Sequence, residues 1–396
     1  MGVLLLIIGI ILFIGLVVVH ELGHFLVARR NGVEAEEFGI FFPPKLWSRK
    51  VKGKKGRKSF EFSINVLPLG GFVRLKGEHD ADTEPGSFGA ASTWVKTKIM
   101  AAGVGMNLLA ALVLFMILAW VGMPQLVDNQ FTVKSDTKVI SNEVLVGDIQ
   151  PGSPAAKAGL RQRDDLVSLT PVSHPTATEK LSQANNLPNV TKRLAGQTVD
   201  IVYVRGGATH HATTTLLSGQ TVAASQNTKN PKGYLGVVPT EYTLQRSTWS
   251  APIVAVGLAK QFTVLTFKGL WTAVKGLGST IAGLATRNHA AREAGQTQAS
   301  SQVSGPVGIF VILKDGSSLG YQFILMIVAV ISLSLAIMNV LPIPALDGGK
   351  IFLTYLSRLL RKQLTQEFEE AVYGGSFVLL LLLIGIITIV DVKRFF

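Results

Sequence analysis

The sequence predicts a polytopic α-helical membrane protein with four transmembrane helices, a membrane-associated β-sheet and an inserted extracytoplasmic β-rich domain. Hydrophobic residues make up 48% of the 396 residues, and the mean hydropathy of +0.38 is typical of a membrane protein rather than a soluble one. The run at residues 3–19 is uncharged, and with the residues that follow it reaches the roughly 20 residues of a bilayer span. Between two such runs, residues 125–240 have the composition of a soluble β-rich domain.

Apolar and polar segments alternate along the chain and define eight regions. The predicted regions are a transmembrane helix at 1–31, a cytoplasmic membrane-associated β region at 32–97, a transmembrane helix at 98–124, the inserted domain at 125–240, an amphipathic helix and linker at 241–304, a transmembrane helix at 305–349, a cytoplasmic amphipathic helix at 350–374 and a transmembrane helix at 375–396. Three lysines, Lys260, Lys268 and Lys275, nearly share one face of the fifth region. This spacing favours a helix lying on the outer leaflet over a span.

The net charge of +13 comes largely from basic residues beside apolar runs. Such residues are typical of anchors that face anionic lipid, so we expect the bilayer as a partner and no nucleic acid. The basic stretch from Lys45 to Lys58, which includes Lys54, Lys55 and Arg57, assigns its loop to the cytoplasm by the positive-inside rule. The N-terminal run has no basic leader and no small-residue cleavage site, which indicates a retained span.

A His-Glu-x-x-His motif ends the first apolar run, as His20, Glu21 and His24. On a helix, positions four apart share a face, so the two imidazoles can ligate one metal ion while the carboxylate lies beside them as a base. The chain contains no cysteine, so a zinc site must use His, Asp or Glu. The motif predicts a zinc hydrolase site at membrane depth that opens towards the cytoplasm.

Asp347 is the best candidate for the third protein ligand that such a site needs. It leaves the third apolar run after two prolines and is followed by Gly348 and Gly349, which permit close backbone approach. Two crossings separate Asp347 from His24, which returns it to the same side of the membrane. The alternative is an Asp that caps a helix at a turn.

The cytoplasmic loop contains a stretch, residues 60–66, in which apolar and polar residues alternate, as expected of a half-buried strand. Pro68 and the glycines Gly70 and Gly71 then turn the chain into a second short strand that begins at Phe72. Two interpretations remain open: a small cytoplasmic hairpin, or a sheet against the membrane that pairs with an extended substrate by strand addition.

Asn107 lies one turn inside the second span. A buried Asn in a span either joins helices through a hydrogen bond or orients a substrate. The sequence leaves both interpretations open.

Part of the inserted domain resembles a PDZ domain, in which a Pro-Ala-Ala-x-Ala-Gly-Leu helix, here at residues 154–160, precedes an Asp-containing turn into a strand. In the permuted order common in bacterial PDZ domains, Tyr234, Leu235 and Gly236 would lie in the loop that receives a peptide C-terminus. A PDZ domain that acts as a steric gate, without a peptide ligand, is the alternative.

The chain as a whole resembles the bacterial site-2 proteases, zinc intramembrane metalloproteases that include the regulator-of-sigma-E protease. The resemblance covers almost the whole length and rests on four features in order: the His-Glu-x-x-His motif, the Leu-Pro-Leu-Gly-Gly-Phe stretch from residue 67, a single PDZ insertion, and Asn-x-x-Pro-x-Pro-x-Leu-Asp-Gly-Gly at residues 339–349. One departure is that the second span lacks the Pro often found after its first Gly.

The resemblance implies roles for individual residues. His20, His24 and Asp347 would bind one Zn²⁺ and Glu21 would be the catalytic base. The substrate strand would contact Asn107, Asn339 and the loop residues Gly70, Gly71 and Phe72.

The implied function is zinc-dependent hydrolysis of peptide bonds in transmembrane segments, in the inner membrane of a bacterium, after trimming of the substrate outside the membrane by a site-1 type protease. Substrates would be single-span proteins resembling anti-sigma factors, or signal-peptide remnants. The alternatives are a catalytically inactive scaffold with a peptide-binding PDZ domain, and a metal transporter, which would need ionisable residues along several spans.

Overall fold

The computed structural model describes residues 2–53, 58–228, 230–286, 288, 290, 305–362 and 364–395. Within these ranges the chain divides into two compact units. One unit comprises residues 118–250, and the other takes the remaining described chain. Lys54, Lys55 and Arg57 of the basic loop, and most of the linker predicted up to residue 304, lie outside the described residues.

The larger unit contains most of the long helices and a sheet. Its elements are α1 (Gly2–Arg30), β1 (Ala35–Val51), β2 (Phe60–Leu75), α2 (Thr93–Val121, whose last residues belong to the other unit), α6 (Ala251–Ala285), α7 (Pro306–Gly316), α8 (Tyr321–Val340), α9 (Asp347–Leu359) and α10 (Gln366–Phe395). The helix α1 is rich in Leu, Ile and Val and ends with Arg29 and Arg30. Gly32, two residues later, has φ +83°, as is common beyond a helix C-terminus.

Five helices in the described chain are long and apolar enough to cross a bilayer, judged by length and composition alone. Four of them, α1, α2, α8 and α10, coincide with the predicted spans. The fifth is Ala251–Thr280 of α6, in the region predicted to lie on the outer leaflet. The count of four spans is therefore not confirmed, although the multi-span helical architecture is.

Two predicted helical regions are interrupted in the structure. The region at 305–349 contains two helices, α7 and α8, separated by a turn in which Gly320 has φ +99°. The helix predicted for residues 350–374 stops at Leu359, next to Arg361 with φ +52°, and α10 begins at Gln366. Gly320 and Arg361 both have a positive φ, which a right-handed α-helix cannot include.

The sheet differs from the predicted hairpin. Although β2 is continuous from Phe60 to Leu75, it reverses direction between Ile64 and Gly71, as predicted, because residues 61–64 pair with residues 37–40 in the same direction and residues 71–74 pair with them in the opposite one. The strand between these two arms belongs to β1, which the sequence patterns did not indicate. Residues 37–40 of β1 lie opposite two stretches of β2 at once, so that Gly39 faces both Ser63 and Phe72. The stretch at 71–75 is consequently an outer edge, with no further strand paired to it in the described ranges.

The sheet packs on α1. Phe25 and Ala28 of α1 are buried together with Phe38 of β1, Leu75 of β2 and Ile99 of α2. Further towards the N-terminus, Leu16 packs with residues of α7 and α8. The central helix α1 therefore has the sheet beside its last turns and helices beside its first ones.

Asp391 near the end of α10 is buried, with 2% of its surface exposed. Its Oδ2 accepts hydrogen bonds from the backbone N–H groups of Gly305 and Gly308, at 2.9 and 2.8 Å. The carboxylate thus satisfies the free N–H groups at the start of α7, where a negative charge is also favoured by the helix dipole.

The smaller unit is a seven-stranded antiparallel sheet with three short helices. The elements are β3 (Met123–Pro124), β4 (Lys138–Ile149), α3 (Pro154–Lys157), β5 (Asp165–Pro171), β6 (Glu179–Lys180), α4 (Asn186–Arg193), β7 (Thr198–Arg205), β8 (Ala208–Thr215), α5 (Gly219–Ser225) and β9 (Val237–Arg246). The strand order in the sheet is β3-β9-β4-β5-β7-β8, and β6 pairs with β5. Leu166, Leu169 and Ile201 are fully buried in its core.

The predicted short helix at residue 154 is α3. Ser153 caps it by accepting a hydrogen bond from the Ala156 N–H, Pro154 occupies its first turn, and Gly159 follows with φ +73°. The similarity of the unit to a PDZ domain stays a prediction.

The proposed peptide loop of this unit is held from within it. The carbonyl groups of Tyr234, Leu235 and Gly236 accept hydrogen bonds from the N–H groups of Leu217, Ala155 and Gln150 respectively. Its role in peptide binding stays a prediction.

Candidate metal centre

Three of the predicted site residues converge on one point. The Nε2 atoms of His20 and His24 are 3.1 Å apart, and each lies 3.2 Å from Oδ2 of Asp347. The two histidines are 8% and 6% exposed. In the described part of the chain, this is the one group of His and acidic side chains arranged to hold a metal ion.

Helix geometry positions the imidazoles, and two glycines position the carboxylate. His20 and His24 are one turn apart on α1, whereas Asp347 is the first residue of α9. The following glycines let α9 fold tightly against the chain that precedes it, since a Cβ on Gly348 would lie 2.3 Å from the Val340 carbonyl oxygen and one on Gly349 2.0 Å from that of Ile343. Asp347 thus starts a helix and faces the imidazoles at the same time.

The arrangement fits a zinc ion. Tetrahedral zinc with nitrogen and oxygen ligands at about 2.0–2.1 Å has neighbouring ligand atoms about 3.3–3.4 Å apart, and the three observed separations are only slightly shorter. Asp347 Oδ2 is buried and has no hydrogen-bond partner among the described residues. A buried carboxylate oxygen without a donor is costly unless a cation is supplied, which is the behaviour expected of a ligand atom.

The second ring nitrogen of His24 is bonded to the backbone. Its Nδ1 lies 2.8 Å from the Ile99 carbonyl oxygen, which can only accept, so Nδ1 carries the proton and Nε2 presents its lone pair to the centre. Beside it, α2 approaches closely at Gly103, where a Cβ would lie 2.4 Å from His24 Nε2 and 2.5 Å from His20 Cε1. Ile99 and Gly103 both belong to the environment of the site.

Asn107 lies against a ring nitrogen of His20 rather than in an open cleft. Its Nδ2 is 3.3 Å from Nδ1 of His20, and its Oδ1 is buried with no partner in the described chain. Its backbone carbonyl accepts a 2.7 Å hydrogen bond from Ser332 Oγ of α8. The side chain is therefore next to the metal centre, whereas the backbone carbonyl joins α2 to α8.

Glu21 follows His20 on α1 and is half-buried. It is close enough to both imidazoles, to Asp347 and to Lys350 to interact with them electrostatically. This places a carboxylate beside the three converging atoms but outside their triangle.

The predicted loop residues Gly70 and Gly71 lie against α1, about one turn before His20. A Cβ on Gly70, which has φ +130°, would meet Val17 of α1 at 2.8 Å, and one on Gly71 would meet Val18 at 3.5 Å. The ring of Phe72 covers Gly39, where a Cβ would fall 2.3 Å from it. The edge at 71–75 is therefore held next to the helix that carries the motif.

Asn339 is the next-to-last residue of α8 and is half-buried. It precedes Asp347 by only a short irregular segment. Asn339 therefore lies at the end of α8, just before the segment that leads to Asp347.

Sequence reasoning missed Ile99 and Gly103. Ile99 contributes a backbone carbonyl, which no side-chain pattern can indicate. Gly103 carries a signal, because it precedes Asn107 by four residues and so shares its helix face; a glycine there marks close approach of another group.

Comparison with known proteins agrees with this geometry. Peptidase family M50 matches residues 8–383. A Clostridium acetobutylicum protein whose name describes a zinc metalloprotease is 30% identical over 387 residues, covering 98% of this chain and 96% of its own. The regulator of sigma-W protease RasP of Bacillus subtilis is 24% identical over 469 residues, covering 98% of each chain. The zinc metalloprotease RasP of Geobacillus kaustophilus is 25% identical over 471 residues, covering 98% of this chain and 97% of its own.

These matches extend over nearly the whole chain, and two of the three relatives carry zinc in their names. They confirm the predicted family, the predicted enzyme class and the predicted cofactor. The chain belongs to peptidase family M50 and is a zinc metalloprotease of the site-2 type.

Proposed function

We propose that the protein is an intramembrane endopeptidase in which His20, His24 and Asp347 hold the Zn²⁺ and Glu21 is the catalytic base. The observation that carries the proposal is the triangle of ligand atoms, 3.1–3.2 Å on each side, built partly on a helix that is apolar enough to span a bilayer. A peptidase site at that depth acts on peptide bonds that are themselves within the membrane.

Bound zinc supplies Lewis-acid activation of water and of the scissile carbonyl group. Glu21 accepts the proton of the attacking water and delivers it to the leaving amine, the general acid–base role of a carboxylate beside a zinc site. His24 keeps its ring orientation through the Ile99 carbonyl. The close backbone of α2 at Gly103 excludes water from one side of the two imidazoles.

A transmembrane substrate helix hides its carbonyl groups in its own hydrogen bonds and must unwind before cleavage. The edge at residues 71–75, which has no further strand beside it in the described ranges, offers backbone groups that a freed substrate strand can bond by strand addition. Gly70, Gly71 and Phe72 lie on or next to this edge, beside α1. Asn339, at the end of α8, supplies a side-chain amide for the same strand.

The position of the metal centre supports a proposal of four membrane spans. Asp347 lies beside His20 and His24, so the chain between them crosses the membrane an even number of times. The helices α2 and α8 provide two crossings, and α7 with 11 residues is too short for another. A crossing by α6 would make the number odd, so α6 lies along the membrane and the protein has four spans.

The short basic loops support an active site that opens towards the cytoplasm of a bacterial inner membrane, with the 118–250 unit outside it. The substrates are single-span membrane proteins, either resembling anti-sigma factors or signal-peptide remnants, trimmed beforehand by a site-1 type protease. The name of the Bacillus subtilis relative, a regulator of sigma-W protease, supports the first class. The 118–250 unit then acts as a PDZ domain, either by binding peptide termini or as a steric gate.

The test uses full-length protein in detergent with a single-span peptide substrate. Glu21→Gln should lower cleavage by about 10²–10⁴-fold while zinc content stays unchanged, because the amide cannot accept the proton and is no ligand. Asp347→Ala should lower zinc content as well. The control is Glu84→Gln, an exposed carboxylate that pairs with Lys76.

Cleavage by Glu21→Gln at the wild-type rate would refute the base assignment. Wild-type zinc content in Asp347→Ala would remove this residue from the ligand set. Zinc-loaded wild-type protein that cleaves soluble peptides but no membrane-spanning one would refute the intramembrane substrate.

A further inference from the structure

We infer that Asn107 is a positioning residue that acts through His20: its Oδ1 accepts a hydrogen bond from the Nδ1–H of His20 and so holds that imidazole in the zinc-binding tautomer. This inference rests on the proposed function, because it takes His20 as a ligand through Nε2. The predicted contact of Asn107 with the substrate stays a prediction beside it.

The ring nitrogens of the two histidines have different partners. Nδ1 of His24 faces a carbonyl oxygen, which fixes its proton. Nδ1 of His20 faces the amide of Asn107, at 3.3 Å. Nε2 of His20 points at the other two ligand atoms, and a neutral imidazole that ligates through Nε2 carries its proton on Nδ1. Nδ1 must then donate, and the group opposite it must accept.

The orientation of the amide decides whether this is possible. With Nδ2 towards His20, two donors would face each other when zinc is bound, while Oδ1 is buried with no partner among the described residues. A half-turn about the Cβ–Cγ bond exchanges the two amide atoms without changing the shape of the side chain. Only the exchanged orientation suits a ligating His20. The orientation with Nδ2 towards Nδ1 suits the other neutral tautomer of His20, in which the proton is on Nε2 and Nδ1 accepts.

The surroundings leave the side chain of Asn107 available for this task. The backbone carbonyl of Asn107 accepts a hydrogen bond from Ser332 Oγ of α8, so a hydrogen bond between α2 and α8 does not need the amide. Gly103, one turn earlier on the same face, lets α2 approach the imidazoles. Asn107 is 1% exposed, and its amide therefore lies beside His20 without competition from solvent.

The test measures zinc affinity of the full-length protein in detergent, by competition with a chromophoric chelator. Asn107→Ala, which removes the acceptor, should weaken zinc binding by about 10–100-fold, as loss of an outer hydrogen-bond partner of a ligand typically does. Asn107→Asp keeps an oxygen in place and should bind zinc within a few-fold of wild type. Ser332→Ala is the matched control for helix joining: it should lower thermal stability without changing zinc affinity.

Wild-type affinity in Asn107→Ala would overturn the inference. A loss in Asn107→Asp as large as in Asn107→Ala would overturn it too, because an amide that donates to Nδ1 cannot be replaced by a carboxylate. Should Asn107→Ala not fold, the comparison of Asn107→Asp with wild type still decides the question. His20→Ala separates the two levels: retained zinc there refutes the ligand assignment, whereas lost zinc there with unchanged affinity in Asn107→Ala refutes this inference alone.

Discussion

Gly103 is the position at which the smallest addition should disturb the metal centre most. An alanine Cβ would lie 2.4 Å from His24 Nε2 and 2.5 Å from His20 Cε1, about 1 Å closer than van der Waals contact allows. Either α2 or both imidazoles must shift. Overpacking of this kind costs about 1–3 kcal/mol, and if the cost falls on the zinc-bound geometry it corresponds to roughly 5–150-fold weaker zinc binding.

The assay is chelator competition on purified Gly103→Ala and Gly105→Ala. Gly105 lies on the same helix and is exposed, and an alanine Cβ there would meet nothing within 4 Å beyond its own helix. The Gly105 variant should therefore bind zinc normally and gain slightly in helix stability. Equal zinc affinity in the two variants would refute the close approach of α2 to the imidazoles.

Two further predictions concern other parts of the chain. Lys96→Met should lower the free energy of unfolding by about 3–5 kcal/mol. Lys96 is 2% exposed and pairs with the buried carboxylate of Asp80, which would lose its main counter-charge. Thermal unfolding of the variant that matches wild type would contradict this prediction. Burial raises the pKa of Glu143, and the nearby charge of Asp165 raises it further. The folded state therefore holds this proton more tightly than the unfolded state does, so the 118–250 unit should lose stability as the pH rises above the ordinary Glu value of 4.5. Glu143→Gln should remove that loss, so the stability of the variant relative to wild type should increase from acidic to neutral pH, as measured by hydrogen exchange. A stability difference that does not increase over this pH range would contradict the assignment.

The sequence predicts the helical spans and the metal centre because both follow from local periodicity. His20 and His24 share a face by helix geometry alone, and Asp347 stands out as a carboxylate after an apolar run. The strand β1 was missed because Phe41, with φ +67°, and the register shifts around it break the alternation that identifies a strand. Its pairing with β2 is a long-range property that no local pattern contains.

The contacts of the Asn107 side chain could not be predicted from the sequence for a similar reason. The sequence places it on α2 and leaves a choice between helix joining and substrate contact. Which group its amide meets depends on how α2 packs on α1, and that packing includes close approaches at Gly103 and at Gly23. Likewise, the lysines of α6 indicate which face of the helix is polar, but not how deeply the helix lies in the membrane. Length and composition alone therefore give five candidate spans in the described chain.

The capping of α7 by Asp391 has a consequence for the order of events during synthesis. The N–H groups of Gly305 and Gly308 leave the ribosome more than 80 residues before the carboxylate that satisfies them, which is roughly 4–17 s at 5–20 residues per second. Through α8, the helix α7 leads to Asp347. The imidazoles and Asp347 are therefore both synthesised before the residue that caps α7, and this cap can form only when translation is nearly finished.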